Sequence, residues 1–209
     1  MGQLILIRHG ETEWSRSGRH TGRTDVPLTV RGEQAAAALA PALARCDIRA
    51  VFVSPAGRAQ RTAELAGLTR PDASWQLKVD PDLQEWDYGG YEGRTTADIQ
   101  KERPGWYLWR DGVIPGDPAH PAHPAHPGET VQQVGQREDD VLARTEPLLT
   151  GGDVVLVAHG HSLRILTARY LRLDADGGRL FRLDTGTLSA LGTEHGMPVI
   201  TSWNVPPTS

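Results

Sequence analysis

The 209 residues are enough for one sizeable hydrophobic core, so a single domain over 1–209 is expected. A formal net charge of -4 argues against nucleic acid or an anionic membrane as main partner, although a local arginine cluster can still hold an anion. Cys46 is the sole cysteine, which excludes an internal disulfide and a cysteine-based metal cage and fits a reducing, cytoplasmic setting.

Leu4-Ile5-Leu6-Ile7 is a short branched apolar run, too short for a helix and suited to a buried strand. It leads straight into Arg8-His9-Gly10, unlike a signal peptide, and no stretch approaches a membrane span. Trp14 to Pro27 is rich in turn residues and reads as a loop. Thr29 is placed to cap a helix running to about Arg45, with Ala35, Leu39 and Leu43 on one face. Ala50 to Val53 reads as a second buried strand, and Pro55 as the start of a helix through Arg58, Thr62 and Leu65. Gln76 to Val79 forms a third, edge-like strand. Thr95 or Thr96 caps a short helix to about Glu102.

From Gly112 to Gly128 proline, alanine, glycine and histidine dominate, including the repeat His120-Pro121-Ala122-His123-Pro124-Ala125-His126-Pro127; this is a loop. Its histidines suggest a metal tract, but the interposed prolines match no compact site, and the solvated-loop reading is preferred. Thr130 opens the longest helical pattern, with Val134, Val141, Leu142 and Leu149 roughly on one side. Asp153 to Ala158 is another apolar strand. It ends in His159-Gly160-His161, and a helix follows from Ser162 to about Leu171. Thr187 to Leu191 and Val199 to Trp203 close the chain as strands. Alternating strands and helices imply an α/β fold: a three-layer αβα domain with a mostly parallel sheet and helices on both faces.

Two of these strands end in histidine followed by glycine. As parallel neighbours they bring His9 and His159 to one sheet edge, at the carboxyl ends where ligands bind in open α/β sheets. Gly10 is expected to turn the backbone sharply there and approach a ligand. Arg58, in the first turn of its helix, projects towards the same edge. Arginine beside histidine suits an oxyanion, phosphate first. Glu85, set among Leu83, Trp86 and Tyr88, is expected to be partly desolvated and so ready to donate a proton.

Arg8-His9-Gly10-Glu11-Thr12 resembles the signature of the histidine phosphatase superfamily, the phosphoglycerate mutase-like fold. Ser54-Pro55 with Arg58-Ala59 and Thr62-Ala63, Glu85 with Gly89 and Glu92-Gly93, and His159-Gly160 through Arg164 resemble its other motifs, in order. The resemblance implies that His9 attacks phosphorus to form a phosphohistidine. Arg8, Arg58 and His159 then hold the non-bridging oxygens, while Glu85 protonates the leaving oxygen and later activates water. It implies neither metal nor cofactor. It also suggests that Ser15, Thr21, Gly22, Tyr88, Gly160 and His161 line the substrate pocket. Ser15, Thr21 and Gly22 are equally ordinary turn residues, Tyr88 and Trp86 equally core, and His161 equally a helix-start cap. Arg164 reads as a helix anchor, and Arg61 has no assigned role.

Within the superfamily, Glu13-Trp14-Ser15 and Asp25 with Pro27-Leu28-Thr29 are similar to bacterial broad-specificity acid phosphatases and fungal sedoheptulose bisphosphatase, and Trp109-Arg110-Asp111-Gly112 agrees with the second of these groups. True mutases usually carry Asn where Ser15 stands and a longer, more basic insertion before the motif matching Gly128-Glu129-Thr130. Here Arg110 is the only Arg or Lys between Pro104 and Glu129. Hydrolysis of a phosphomonoester of a small metabolite is therefore the expected activity, with phosphoglycerate mutase the alternative. Specificity is assigned to the substrate-side insertion at about 94–129. A homodimer through a sheet edge or helix face is compatible with the sequence, which has no feature deciding it.

Overall fold

The computed structural model describes residues 2–117 and 126–207. In chain order the elements are β1 (Leu4–Arg8), α1 (Glu13–Ser17), α2 (Val30–Ala37), α3 (Ala40–Leu43), β2 (Ile48–Val53), α4 (Gly57–Leu65) and β3 (Leu77–Val79). There follow α5 (Thr96–Glu102), α6 (Leu108–Asp111), α7 (Val131–Thr145), β4 (Asp153–Ala158), α8 (Gly160–Tyr170), β5 (Leu188–Glu194) and β6 (Met197–Val205). The sheet order is β3-β2-β4-β1-β5-β6. β2 pairs in parallel with β3 and β4, and β4 with β1, whereas β5 and β6 close one side antiparallel.

Every residue of the apolar runs in β1 and β4 is buried, because helices cover both faces of the sheet. Alternate residues feed two cores. Leu4, Leu6, Val154 and Leu156 meet Val141 of α7 and Leu163 and Leu166 of α8. Ile5, Ile7, Val155 and Val157 meet Leu39, Leu43 of α3, and Ala59 and Ala63 of α4. A third cluster gathers Trp86, Tyr88, Tyr91, Trp106 and Trp109 against Val134 and Ile165. No helix among the described residues is long and apolar enough to cross a membrane.

Several expectations need correction. Glu13 to Ser17 is a helix and not loop: Thr12 caps it in a reciprocal box with Ser15, which supplies the local hydrogen bonds so short a helix needs. The helix capped by Thr29 stops at Ala37 and restarts at Ala40, because Pro41 in its first turn has no N–H to continue the ladder. α7 ends at Thr145, and Leu149 falls in the 3-10 turn Glu146–Gly151 that carries Pro147. α8 begins at Gly160, two residues earlier than expected. Leu108–Asp111 adds a short helix that the sequence reading did not name. Of the two candidates Thr95 caps α5 while Thr96 is its first helical residue, and Thr130, expected to open the longest helix, is the cap of α7. Most of the His-Pro-Ala repeat, with His120 and His123, lies outside the described residues.

Candidate active site

β1 and β4 run in parallel register, with Arg8 opposite Ala158, so the residues that follow each strand emerge side by side. The rings of His9 and His159 stand 5.2 Å apart, centroid to centroid, and both residues are buried. Ser54, just beyond the third parallel strand β2, lies beneath them: its Oγ is 2.7 Å from His159 Nε2 and also accepts from the Ala56 N–H.

His9 Nδ1 is 2.7 Å from the Gly10 carbonyl oxygen. A carbonyl only accepts, so Nδ1 carries the ring hydrogen and Nε2 presents its lone pair. Burial, reinforced by the charges of Arg58 and Arg8, holds His9 well below the usual imidazole range. The ring is therefore a neutral base at neutral pH. His159 is pushed down in the same way, first by burial and then by Arg58. Gly10 itself donates to Thr62 Oγ1 at 3.0 Å, which ties the loop after β1 to α4. It is not a left-handed turn residue. A Cβ there would lie 2.4 Å from the carbonyl oxygen of Gly32, so what Gly10 permits is the close approach of α2.

Arg58 is buried and gripped from behind by main chain. Its Nη1 donates to the Thr24 carbonyl at 2.9 Å, and its Nη2 to the carbonyls of Gly22 at 2.9 Å and Thr21 at 3.2 Å. That loop is in turn clamped by Glu92, whose carboxylate accepts the Gly22 N–H at 2.9 and 3.0 Å and the Thr24 N–H at 3.0 Å. Arg8 Nη1 donates to the Leu183 carbonyl at 2.5 Å. Gly160 packs against its guanidinium: a Cβ would sit 3.1 Å from Arg8 Cζ. Four buried side-chain N or O atoms among the described residues have no partner, and three of them are Arg8 Nε, Arg58 Nε and His159 Nδ1. Buried polar atoms are normally satisfied, so three orphans within one set of residues single that set out.

Glu85 completes the arrangement. His159 is the residue just before α8, and its side chain makes no cap. Glu85 supplies the cap from a distant loop: its Oε2 accepts the His161 N–H at 3.1 Å, and its Oε1 accepts the N–H groups of Ser162 and Trp86 at 2.9 Å each. The apolar surroundings expected from Leu83, Trp86 and Tyr88 are thus only one side of its environment. α4 borrows a cap likewise, Asp25 accepting the Gly57 and Arg58 N–H groups at 3.2 and 3.4 Å.

The expected pocket residues divide. The Tyr88 hydroxyl meets His161 Nδ1 at 2.7 Å, and Trp109 and Trp86 flank the His161 ring at 5.3 and 6.0 Å between centroids. His20, 4.8 Å from the Tyr88 ring, joins this wall, and burial brings it down to about 4. Thr21 and Gly22 serve Arg58 through their carbonyls, while the Thr21 hydroxyl donates to Arg19. The Ser15 side chain is engaged with Thr12. Arg164 donates to the Gly178 and Arg179 carbonyls and lies 4.8 Å over Trp109, an anchor as expected. Arg61 pairs with Glu33 and Glu64 at the surface. Ser54, Thr62, Asp25 and Glu92 carry structural tasks that the sequence reading left unassigned, although each stands inside a quoted motif.

Two histidines, two arginines and a carboxylate at the carboxyl edge of a parallel sheet define the protein's class. The chain belongs to the histidine phosphatase superfamily (branch 1), whose family model matches residues 4–206. It is 38% identical to an acid phosphatase of Mycobacterium tuberculosis, over 93% of this chain and 88% of that one. It is 36% identical to the sedoheptulose 1,7-bisphosphatase of Saccharomyces cerevisiae, over 82% of this chain and 68% of the relative. A Cronobacter sakazakii relative bearing a phosphoglycerate mutase name, GpmB, is 32% identical over 98% of this chain and 91% of its own length. A solved Mycobacterium tuberculosis structure superposes with a TM-score of 0.85 at 36% identity, covering 99% of both chains.

Proposed function

We propose that this protein is a metal-independent phosphomonoesterase acting on a small phosphorylated metabolite through a phosphohistidine at His9. The observation that carries the reading is the His9 ring, fixed through Nδ1 by Gly10 and kept neutral by burial, so that Nε2 offers a lone pair beside the orphaned donors of Arg8, Arg58 and His159. In the first step this lone pair forms a bond to phosphorus while the ester P–O bond breaks. The departing oxygen takes its proton from Glu85. Arg8, Arg58 and His159 meet the charge on the non-bridging oxygens. For His159, the Ser54 hydroxyl donates to Nε2 and the ring keeps its hydrogen on Nδ1. In the second step water attacks phosphorus and yields a proton to Glu85, the P–N bond breaks, and phosphate leaves with His9 restored.

The cations of the 94–129 segment favour hydrolysis over mutase chemistry. A mutase needs charges for the second anionic group and a lid against water. Here Arg94 is paired with Glu102, Lys101 with Asp98, Arg110 with Asp111, and Arg103 donates to the Tyr91 hydroxyl. Trp106 and Trp109, from its described residues, pack with Trp86 and Tyr88 and reach His20 and His161, aromatic surroundings that suit a substrate with one phosphate and an uncharged body. The single half-buried thiol of Cys46 supports a cytoplasmic location. The test is phosphate release from a generic phosphomonoester in the presence of EDTA. Activity should persist in chelator and vanish in His9→Ala; full activity of that variant ends the reading.

A further inference from the structure

One buried carboxyl has no part in these steps. Glu138, on α7, is fully buried, and its Oε1 accepts from the Ser162 hydroxyl at 2.8 Å and from Arg137 Nη1 at 3.1 Å. Its Oε2 is the fourth orphaned buried atom. Stability alone gives little reason to keep such a group, since replacing a buried charged or polar cluster with packed apolar residues is often neutral or favourable. Arg137 does not need it: two parallel hydrogen bonds to Glu129, at 2.9 and 3.1 Å, already hold its guanidinium.

What Glu138 does hold is Ser162. That residue stands in the first turn of α8 and faces two carboxyls at once, with its hydroxyl on Glu138 and its backbone N–H on Glu85. We propose that Glu138 is a positioning residue: through Ser162 it pins the first turn of α8, whose N–H groups aim the Glu85 carboxyl at the leaving oxygen. The inference rests on the role given to Glu85 above. Burial, with Glu85 and Glu129 adding to it against the opposing Arg137 and the Ser162 hydrogen bond, raises Glu138 to about 8. At neutral pH it is therefore an uncharged acceptor, and glutamine reproduces that state with the same oxygen available to Ser162.

The test compares kcat/KM for two phosphate esters, 4-nitrophenyl phosphate and glycerol phosphate. The aryl leaving group departs without help, whereas the alkoxide needs the proton from Glu85. Misplacing a catalytic group by about an ångström costs roughly a hundredfold, so Glu138→Leu should lose on the order of 10- to 100-fold on the alkyl ester and under about threefold on the aryl ester. Glu138→Gln should stay within about threefold of wild type on both. Ser162→Ala, which cuts the same link from the other side, should reproduce the alkyl-selective loss and decides the matter if Glu138→Leu does not fold. Equal losses on both esters, or none, would overturn the proposal. Glu85→Gln keeps the two readings apart. If it shows no alkyl-selective loss, the role of Glu85 fails; if it shows one that the Glu138 and Ser162 variants lack, only the present inference fails.

Discussion

Glu138 also makes a thermodynamic prediction that is independent of catalysis. In the unfolded chain its carboxyl ionises at the ordinary 4.5, whereas in the folded protein burial holds the proton until about 8. Between those values the native state binds a proton that the unfolded state has released, so stability falls as pH rises. Below 4.5 the effect is absent, and above about 8 it is complete. At 1.36 kcal/mol per pH unit the whole window amounts to roughly 5 kcal/mol. Glu138→Gln removes this titration, and groups remote from Glu138 contribute equally to both proteins, so the difference between them reads chiefly this carboxyl and its charged neighbours Arg137, Glu85 and Glu129. The variant should therefore gain on wild type steadily from pH 5 to pH 8. For a domain of this size each kcal/mol shifts Tm by about 2–4 °C, which makes the widening of the gap on the order of 10 °C. Calorimetry or thermal denaturation followed by circular dichroism across that range measures it. A difference in Tm that stays flat with pH, or that narrows, would refute the reasoning about this carboxyl.

Two further predictions concern the proposed phosphate grip of Arg58 and Arg8. Glu92→Gln weakens the clamp on the Gly22 and Thr24 N–H groups and so loosens the carbonyls that hold Arg58; a loss of about 1–3 kcal/mol should appear mainly as a higher KM and weaker inhibition by inorganic phosphate. Gly160→Ala places a methyl 3.1 Å from Arg8 Cζ, so titration with phosphate or vanadate should show weakened binding in a protein whose circular dichroism is unchanged.

The centre of the sheet was legible because β1, β2 and β4 carry continuous apolar runs, and the His9–His159 pairing because β1 and β4 lead into the same two residues. Thr29 was legible as a cap, the cap of α5 was narrowed to Thr95 or Thr96, and Thr130 was legible as the start of α7, because a cap acts on its own next turn. The rest depends on contacts that no local pattern encodes. Arg58 takes its acceptors from a loop more than thirty positions away, and that loop takes its clamp from Glu92, some seventy positions further on. The caps of α4 and α8 come from Asp25 and Glu85, remote in sequence, so the residues before those helices look uncapped. Glu138 sits in a run of charged residues, Arg137 to Asp140, and only the packing of α7 on α8 shows that it points inward. Gly10 was read as a turn because the chain must leave the strand there; its real constraint is the backbone of Gly32, which only the tertiary fold brings near.

If His9 bonds covalently to phosphorus in each turnover, as proposed, rapid quenching captures the adduct. Enzyme mixed with a ³²P-labelled phosphomonoester is stopped within a turnover in alkali, where phosphohistidine survives, and digested to locate the label. Stoichiometric label is expected on the peptide carrying His9, formed and lost at rates consistent with turnover and absent from His9→Ala. Label on any other residue, or phosphate release with no labelled protein at any time, would contradict it.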